Sequence, residues 1–263
     1  MKKVLVALVI IALLVSLCAC SVPSNSFMSK AQVNSLVKKY PNPQAEITLK
    51  YKTGNTNFEV KVTYNLLLDK APIAVTRFIQ IANEGGYNNT LVDTLNTTYK
   101  YVVMGRYRHE QEGYYNARSE DVSFAGEFQS NKYRKPKGGY AEFKIFSLAM
   151  FHDNDAEHFD AANGAMILAL SNQTLNSANY AVFAKFDSMK VSTDDGATYA
   201  TYDKVASYVR DHLMGFTTRS SKNVYESYKE GAKTVSVSLM STEVTLNVEI
   251  LGDYDWSKLP TIG

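Results

Sequence analysis

The stretch Asp69-Lys70-Ala71-Pro72-Ile73-Ala74-Val75-Thr76-Arg77-Phe78 joins two segments of different hydrophobic period. Before it, Phe58, Val60, Val62, Tyr64 and Leu66 alternate with Glu59, Lys61, Thr63 and Asn65. That period of two belongs to a strand with one buried face. After it, Val75, Phe78, Ile79 and Ala82 fall at i, i+3, i+4 and i+7, while Thr76, Arg77, Gln80 and Asn83 point elsewhere. This predicts an amphipathic helix from Pro72 to about Glu84. Pro72 suits the first turn, where its missing N–H would be unpaired anyway, and Gly85-Gly86 supplies the left-handed stop.

Working outward, Ile47, Leu49 and Tyr51 alternate with polar residues, and Gly54-Asn55 marks a turn into the Phe58 strand. A second helix is expected over Tyr202 to Leu213, with Val205, Tyr208, Val209, His212 and Leu213 on one stripe, Thr201 as cap and Gly215 at its end. His212 there reads as a side chain that satisfies the helix dipole. Val235, Val237 and Leu239, then Val244, Leu246, Val248 and Ile250, form two alternating strands across Ser241-Thr242, which are expected to close the sheet. The order of strands and few helices predicts a mostly β fold: an antiparallel β-barrel with two covering helices. A parallel α/β sheet would need helices between most strands, and the chain has no room for them.

Four pieces, in order, carry a family resemblance. Leu67 to Pro72 with Val75, Phe78 and Gly86-Tyr87-Asn88-Asn89-Thr90 resembles the opening of a cyclophilin-type peptidyl-prolyl isomerase. Ala125-Gly126-Glu127-Phe128 resembles that family's Glu-Phe element. Gly164 to Ala169 resembles its Gly-led strand ending in Ala, and Tyr180 to Phe186 resembles the strand written His-x-Val-Phe-Gly-Lys-Val. The resemblance covers about Glu46 to Ile250 and implies a cyclophilin-like barrel over 45–263.

The resemblance also implies site residues, several of which are changed. The family's Phe-His-Arg, with its principal catalytic arginine, is here Val92-Asp93-Thr94, so threonine stands at the arginine position. The strand Phe-Met-x-Gln-Gly-Gly is here Tyr101 to Arg106, with Met104 for the glutamine. Ala169 keeps the family alanine, and Leu170 stands for the asparagine that binds the substrate backbone. With only Ser171 to Asn179 before Tyr180, the Gly-Ser-Gln-Phe-Phe strand reads as missing. The groove implied is lined by Tyr101, Val102, Met104, Ala169, Leu170 and Tyr180, with no secure catalytic residue. Rotation about an X-Pro bond meets a barrier of ~18–20 kcal/mol. In the family, a guanidinium donating to the prolyl nitrogen is thought to favour its deconjugated form. Losing one preorganised donor costs about 10²–10³ in rate, and Thr94 can neither reach as far nor carry charge. Arg106 and Arg108, on the next strand, read as solvated surface cations, with a swing into the groove from that strand as the lesser reading.

Lys2-Lys3 followed by the apolar run Val4 to Leu17 is a targeting segment, short for a spanning helix. Leu17-Cys18-Ala19-Cys20 resembles a bacterial lipobox, which makes 1–19 a lipoprotein signal peptide and Cys20 the lipid attachment site. A plain signal peptide or an uncleaved anchor is the other reading, and each still predicts export. The expected location is therefore extracytoplasmic, on the bacterial cytoplasmic membrane. Residues 20–44 form a polar tether and a short amphipathic stretch, Lys30 to Tyr40, carrying Val33, Leu36 and Val37. No cysteine follows Cys20, so the domain holds no disulfide. Lys2 and Lys3 account for the formal charge of +2, and nothing global argues for nucleic acid. The run His152, Asp153, Asp155, Glu157, His158 and Asp160 is rich in potential ligands, but its spacing fits no zinc or calcium loop, and a polar insertion is expected. No cofactor is expected.

Two function classes remain open: a monomeric isomerase assisting the folding of exported proteins, weakened by the loss at Thr94, or a module that binds proline-containing peptides or a partner protein without turnover. In either class the partners are proline-containing peptides or exported proteins, with the membrane reached through the lipid. Lys132, Arg134, Lys135 and Lys137 around Pro136 form a basic cluster that reads as a solvated face or one turned to anionic lipid.

Overall fold

The computed structural model describes residues 27–111, 114–117, 124–129, 133–152, 161–172, 179–194, 202–216, 218–225, 234–240 and 242–260. The elements run α1 (Lys30–Lys39), β1 (Gln44–Thr53), β2 (Thr56–Leu66), α2 (Pro72–Asn83), β3 (Thr90–Asn96), β4 (Tyr101–Gln111), β5 (Tyr114–Ala117), β6 (Phe124–Ala125), β7 (Leu148–His152), β8 (Ala161–Ala169), β9 (Val182–Thr193), α3 (Tyr202–Gly215), β10 (Thr218–Tyr225), β11 (Thr234–Met240) and β12 (Val244–Leu251). Strands β4, β3, β12, β1, β2, β9, β7 and β8 pair in that order, and β4 pairs with β8 to close an antiparallel eight-stranded barrel. Closure leaves none of these strands an open edge.

The β1–β2 hairpin turns at Gly54-Asn55 with Thr53 opposite Thr56, and Gly54 has the positive φ of 61° that such a turn needs. Its inward residues, Ile47, Leu49, Val60, Val62 and Tyr64, are buried. Helix α2 lays Val75, Phe78 and Ile79 on this core, with the Phe78 ring 5.0 Å from Phe183 and 5.5 Å from Tyr87. Thr76 and Arg77, expected at the surface, are buried too. The C-terminal segment reaches this helix, since Gln80 Nε2 donates to the Pro260 carbonyl at 2.9 Å. Helix α1 begins with a Ser29–Gln32 capping box and buries Val33 and Leu36, while Tyr40 stacks on Trp256 at 4.8 Å. Helix α3 buries Val209 and Leu213. Its His212 stands in the last turn and takes part in a 3.1 Å hydrogen bond with Tyr51, and burial pushes its pKa down. Thr201 lies outside the described residues.

One expectation about the sheet is corrected. Strand β11 pairs with β10, not with β12, so the Val235 to Leu239 run is outside the barrel and only β12 belongs to it. Strand β4 continues past Arg106 to Gln111 and the chain returns as β5, on which β10 pairs in parallel. Strand β10 itself falls in a stretch whose polar composition showed no alternating apolar face.

Candidate functional site

Strand alternation divides the β4–β8–β7–β9 wall into two faces. Val102, Met104, Met166, Leu168, Leu148 and Met150 join the main core inside the barrel. Val103, Ile167, Ala169, Ala149 and Val182 form a second cluster on the outside. Tyr101 stands opposite Ala169, Val103 opposite Ile167, Ile167 opposite Ala149 and Ala149 opposite Val182, so this outer face is one continuous apolar row. Tyr101, Tyr180 and Phe151 border it. Phe143, from the segment before β7, lies over it, only 4% exposed and 6.2 Å from the Tyr180 ring. Of the groove residues expected from the sequence, Tyr101, Ala169 and Tyr180 meet on this face. Val102, Met104 and Leu170 are interior, with Leu170 fully buried in the main core. Neighbours along a strand cannot both face one groove, and Val102 directly follows Tyr101.

One end of the row carries charge. The β3–β4 pairing shifts register between Val92 and Thr94, which makes Asp93 a bulged residue and turns its carboxylate and Thr94 to the same side. A second shift, around Gly105 with φ of 87°, re-aims Arg106. The Arg106 Nε donates to Asp93 Oδ1 at 3.2 Å, and its Nη2 pairs closely with the same oxygen and donates to Thr94 Oγ1 at 2.9 Å. Thr94 Oγ1 in turn donates to Asp93 Oδ1 at 2.9 Å. The guanidinium also lies 4.7 Å from the centre of the Phe151 ring, a cation–π contact. Asp93 is fully buried and the Arg106 side chain 17% exposed. Burial pushes the Asp93 carboxyl above its usual range, and the charge and hydrogen bonds of Arg106 oppose that push. The sequence placed Arg106 among solvated cations; the two bulges bring it onto Thr94 instead. Arg108 is held elsewhere, donating through Nη2 to the Gly85 and Gly86 carbonyls beyond the C-terminus of α2.

Glu127 acts from below. Its two carboxylate oxygens accept the N–H groups of Ile73 (3.0 Å) and Ala74 (2.9 Å), capping α2, whose own N-cap residue is Ala71 and offers no side-chain acceptor. Gly126 is required here, because a Cβ would fall 2.0 Å from the Phe128 ring. Of the ligand-rich run, His152 is described: it is buried, with Nε2 2.9 Å from the Asn179 carbonyl and its ring 4.8 Å from that of Tyr180. Asp153 to Asp160 lie outside the described residues. Among the described residues no group of three His, Cys, Asp or Glu side chains is placed to hold a metal ion.

The family model "Cyclophilin type peptidyl-prolyl cis-trans isomerase/CLD" matches residues 48–194, from β1 to the end of β9. The chain belongs to the cyclophilin family. Among solved structures it is similar to a Cryptosporidium parvum cyclophilin type peptidyl-prolyl cis-trans isomerase crystallised in the presence of the dipeptide Ala-Pro, with 10% identity, 79% of this chain and 99% of that chain covered, and a TM-score of 0.40. It is similar also to the Mimivirus cyclophilin (12% identity, 81% and 90% covered, TM-score 0.43) and to a cyclophilin from Hirschia baltica (9%, 61% and 71%, TM-score 0.33). No curated protein sequence matches the chain.

Within this order, β7 is a strand that the sequence reading did not show. Two strands, β7 and β8, lie between the Glu127-Phe128 element and β9. Ala149, on β7, faces outward beside Ile167, on the same face as Ala169. Sequence reading missed β7 because Ile145 to Phe151 is apolar almost throughout and has no period of two.

Proposed function

We propose that this cyclophilin is a lipid-anchored, extracytoplasmic monomer whose outer face over β3, β4, β8 and β7 receives proline-containing segments of exported proteins and isomerises them slowly. The observation that supports this best is the Arg106 guanidinium, which sits on Thr94, at the position where the family's catalytic arginine is absent, and at the end of an apolar row. A prolyl ring is apolar and fits such a row, while a fixed guanidinium can donate to the twisting amide. A donor of that kind acts on the transition state more than on the ground state. Asp93 shares the same guanidinium, so the charge offered to substrate is attenuated and the turnover low. In an isomerisation assay on a short X-Pro peptide, the wild type should exceed the uncatalysed rate, and Arg106→Gln combined with Asp93→Asn should bring it down to that rate. A wild-type rate equal to the uncatalysed one rejects the enzyme reading.

Phe143 favours a second reading, a binding module without turnover, because its ring already covers part of the apolar row. Proline-containing peptides would then shift the signals of Tyr101, Phe143 and Tyr180 in a titration. Shifts confined to the opposite side of the barrel would reject both readings of this face.

A further inference from the structure

A concentration of positive charge lies outside this face. Helix α1 and the segment 133–137 flank a cleft of about 580 Å³. Lys30 and Lys38 enter it from the helix, and Arg134, Lys135 and Lys137 from the opposite wall, all of them exposed. Among the described residues, Lys30, Lys38, Lys135 and Lys137 are in no salt bridge, and Asp69 is the one carboxylate in the lining. Asp69 is itself 3.6 Å from Lys70. The floor is apolar: Val33 and Pro136 are buried, and Val37, 36% exposed, is one of two large apolar side chains open to solvent among the described residues.

The path of the chain gives this cleft its partner. The described residues begin at Phe27, whose ring lies 5.1 Å from that of Tyr133 at the start of the basic segment. The first described residue is therefore at the edge of the cleft, which Tyr133 lines. From Cys20 to Phe27 is seven residues, which span at most about 25 Å when fully extended and about 15 Å on average. A lipid on Cys20 holds the five cations within a few Debye lengths of the bilayer, and each closer approach is favoured by an anionic surface.

We propose that the cleft between α1 and residues 133–137 is a docking surface for the headgroups of an anionic phospholipid membrane, which orients the barrel on the bilayer that carries its anchor. This rests on the lipid-anchored reading above. Anionic headgroups meet the lysines and Arg134, and Val37 lies at the boundary, where an exposed apolar side chain is covered rather than left in water.

The acylated protein itself provides the test. Since Cys20 is the last cysteine of the chain and would be blocked by lipid, Asn34→Cys places a single fluorophore at the cleft. In vesicles of phosphatidylcholine with phosphatidylglycerol, headgroup nitroxides should quench it, and quenching should fall at least fivefold in phosphatidylcholine alone or at 1 M salt. Lys135→Glu with Lys137→Glu should abolish the quenching while the protein stays on the vesicles through its acyl chains, because each cation near an anionic surface changes partitioning about fivefold. Equal quenching in both lipids, or no effect of the charge reversal, overturns the docking surface. Protein recovered without lipid on Cys20 overturns the anchor instead. Docking is then decided by sedimentation with phosphatidylglycerol vesicles, and binding that is absent, insensitive to salt or unchanged by the reversal rejects it.

Discussion

The Arg106 guanidinium donates to Thr94 Oγ1 across 2.9 Å, and both groups share the buried carboxylate of Asp93. A buried pair of this kind contributes little net stability, yet removing one partner strands the other. Arg106→Met should therefore cost about 3–5 kcal/mol, and Arg106→Met with Asp93→Leu markedly less than the single change. Urea denaturation of the four proteins of this cycle measures it. A single Arg106→Met variant as stable as wild type would show that Asp93 is neutral or solvated at this site.

Restoring arginine at position 94 should not restore a cyclophilin site. A new guanidinium there would replace the hydroxyl that bridges Arg106 and Asp93, and would bring a second cation to one carboxylate. Without a partner of its own it is partly desolvated. Thr94→Arg should lower the melting temperature by several degrees and leave the isomerisation rate within about threefold of wild type, since groups that act as a unit recover little from one repair. A large gain in rate would mean that Arg106 yields its place and that the rest of the face is catalytically intact.

The parts of the fold that alternate with one wet face were legible. The Phe58 to Leu66 strand, the Gly54-Asn55 turn, the Pro72 helix and the Val244 to Ile250 strand stand where their periods put them. What failed to show was structure covered on both faces or set by register. β7 packs Leu148 and Met150 inward and Ala149 outward beneath Phe143, so it has no polar side to mark it as a strand. Whether Val102 or Tyr101 faces the outside depends on a single residue of phase, which four matching motifs do not determine. Arg106 reaches Thr94 only because two bulges change that phase, and a bulge leaves almost no trace in composition beyond Gly105. Glu127 was visible as part of a motif, but its capping of α2 joins residues 53 and 54 apart in sequence.

The proposed export and acylation predict a simple loss. Cys20→Ala should either remain as an uncut precursor or appear in the soluble fraction, and should incorporate no labelled fatty acid. Processing and membrane retention equal to wild type would require an anchor other than Cys20.

Glu127 should make stability fall as pH rises. Burial pushes its carboxyl from 4.5 to about 8, against the pull of the Ile73 and Ala74 N–H groups and the positive charge of Arg134. Below pH 4.5 both folded and unfolded chains hold the proton, and its contribution to stability is fully present. Between 4.5 and about 8 the folded chain holds a proton that the unfolded chain has released, so each step up in pH favours unfolding. Above about 8 both forms are ionised and the loss is complete. Glu127→Gln keeps one acceptor for α2 and cannot titrate, so the difference in melting temperature between wild type and Glu127→Gln should shift against the wild type from pH 5 to pH 8.5. Glu127→Ala should be worse than Glu127→Gln at pH 5, by about 1–3 kcal/mol, because it leaves both helix N–H groups buried without an acceptor. A difference between wild type and Glu127→Gln that stays constant with pH, or one that favours the wild type as pH rises, would mean that the two N–H donors and the α2 dipole outweigh burial and hold Glu127 ionised throughout.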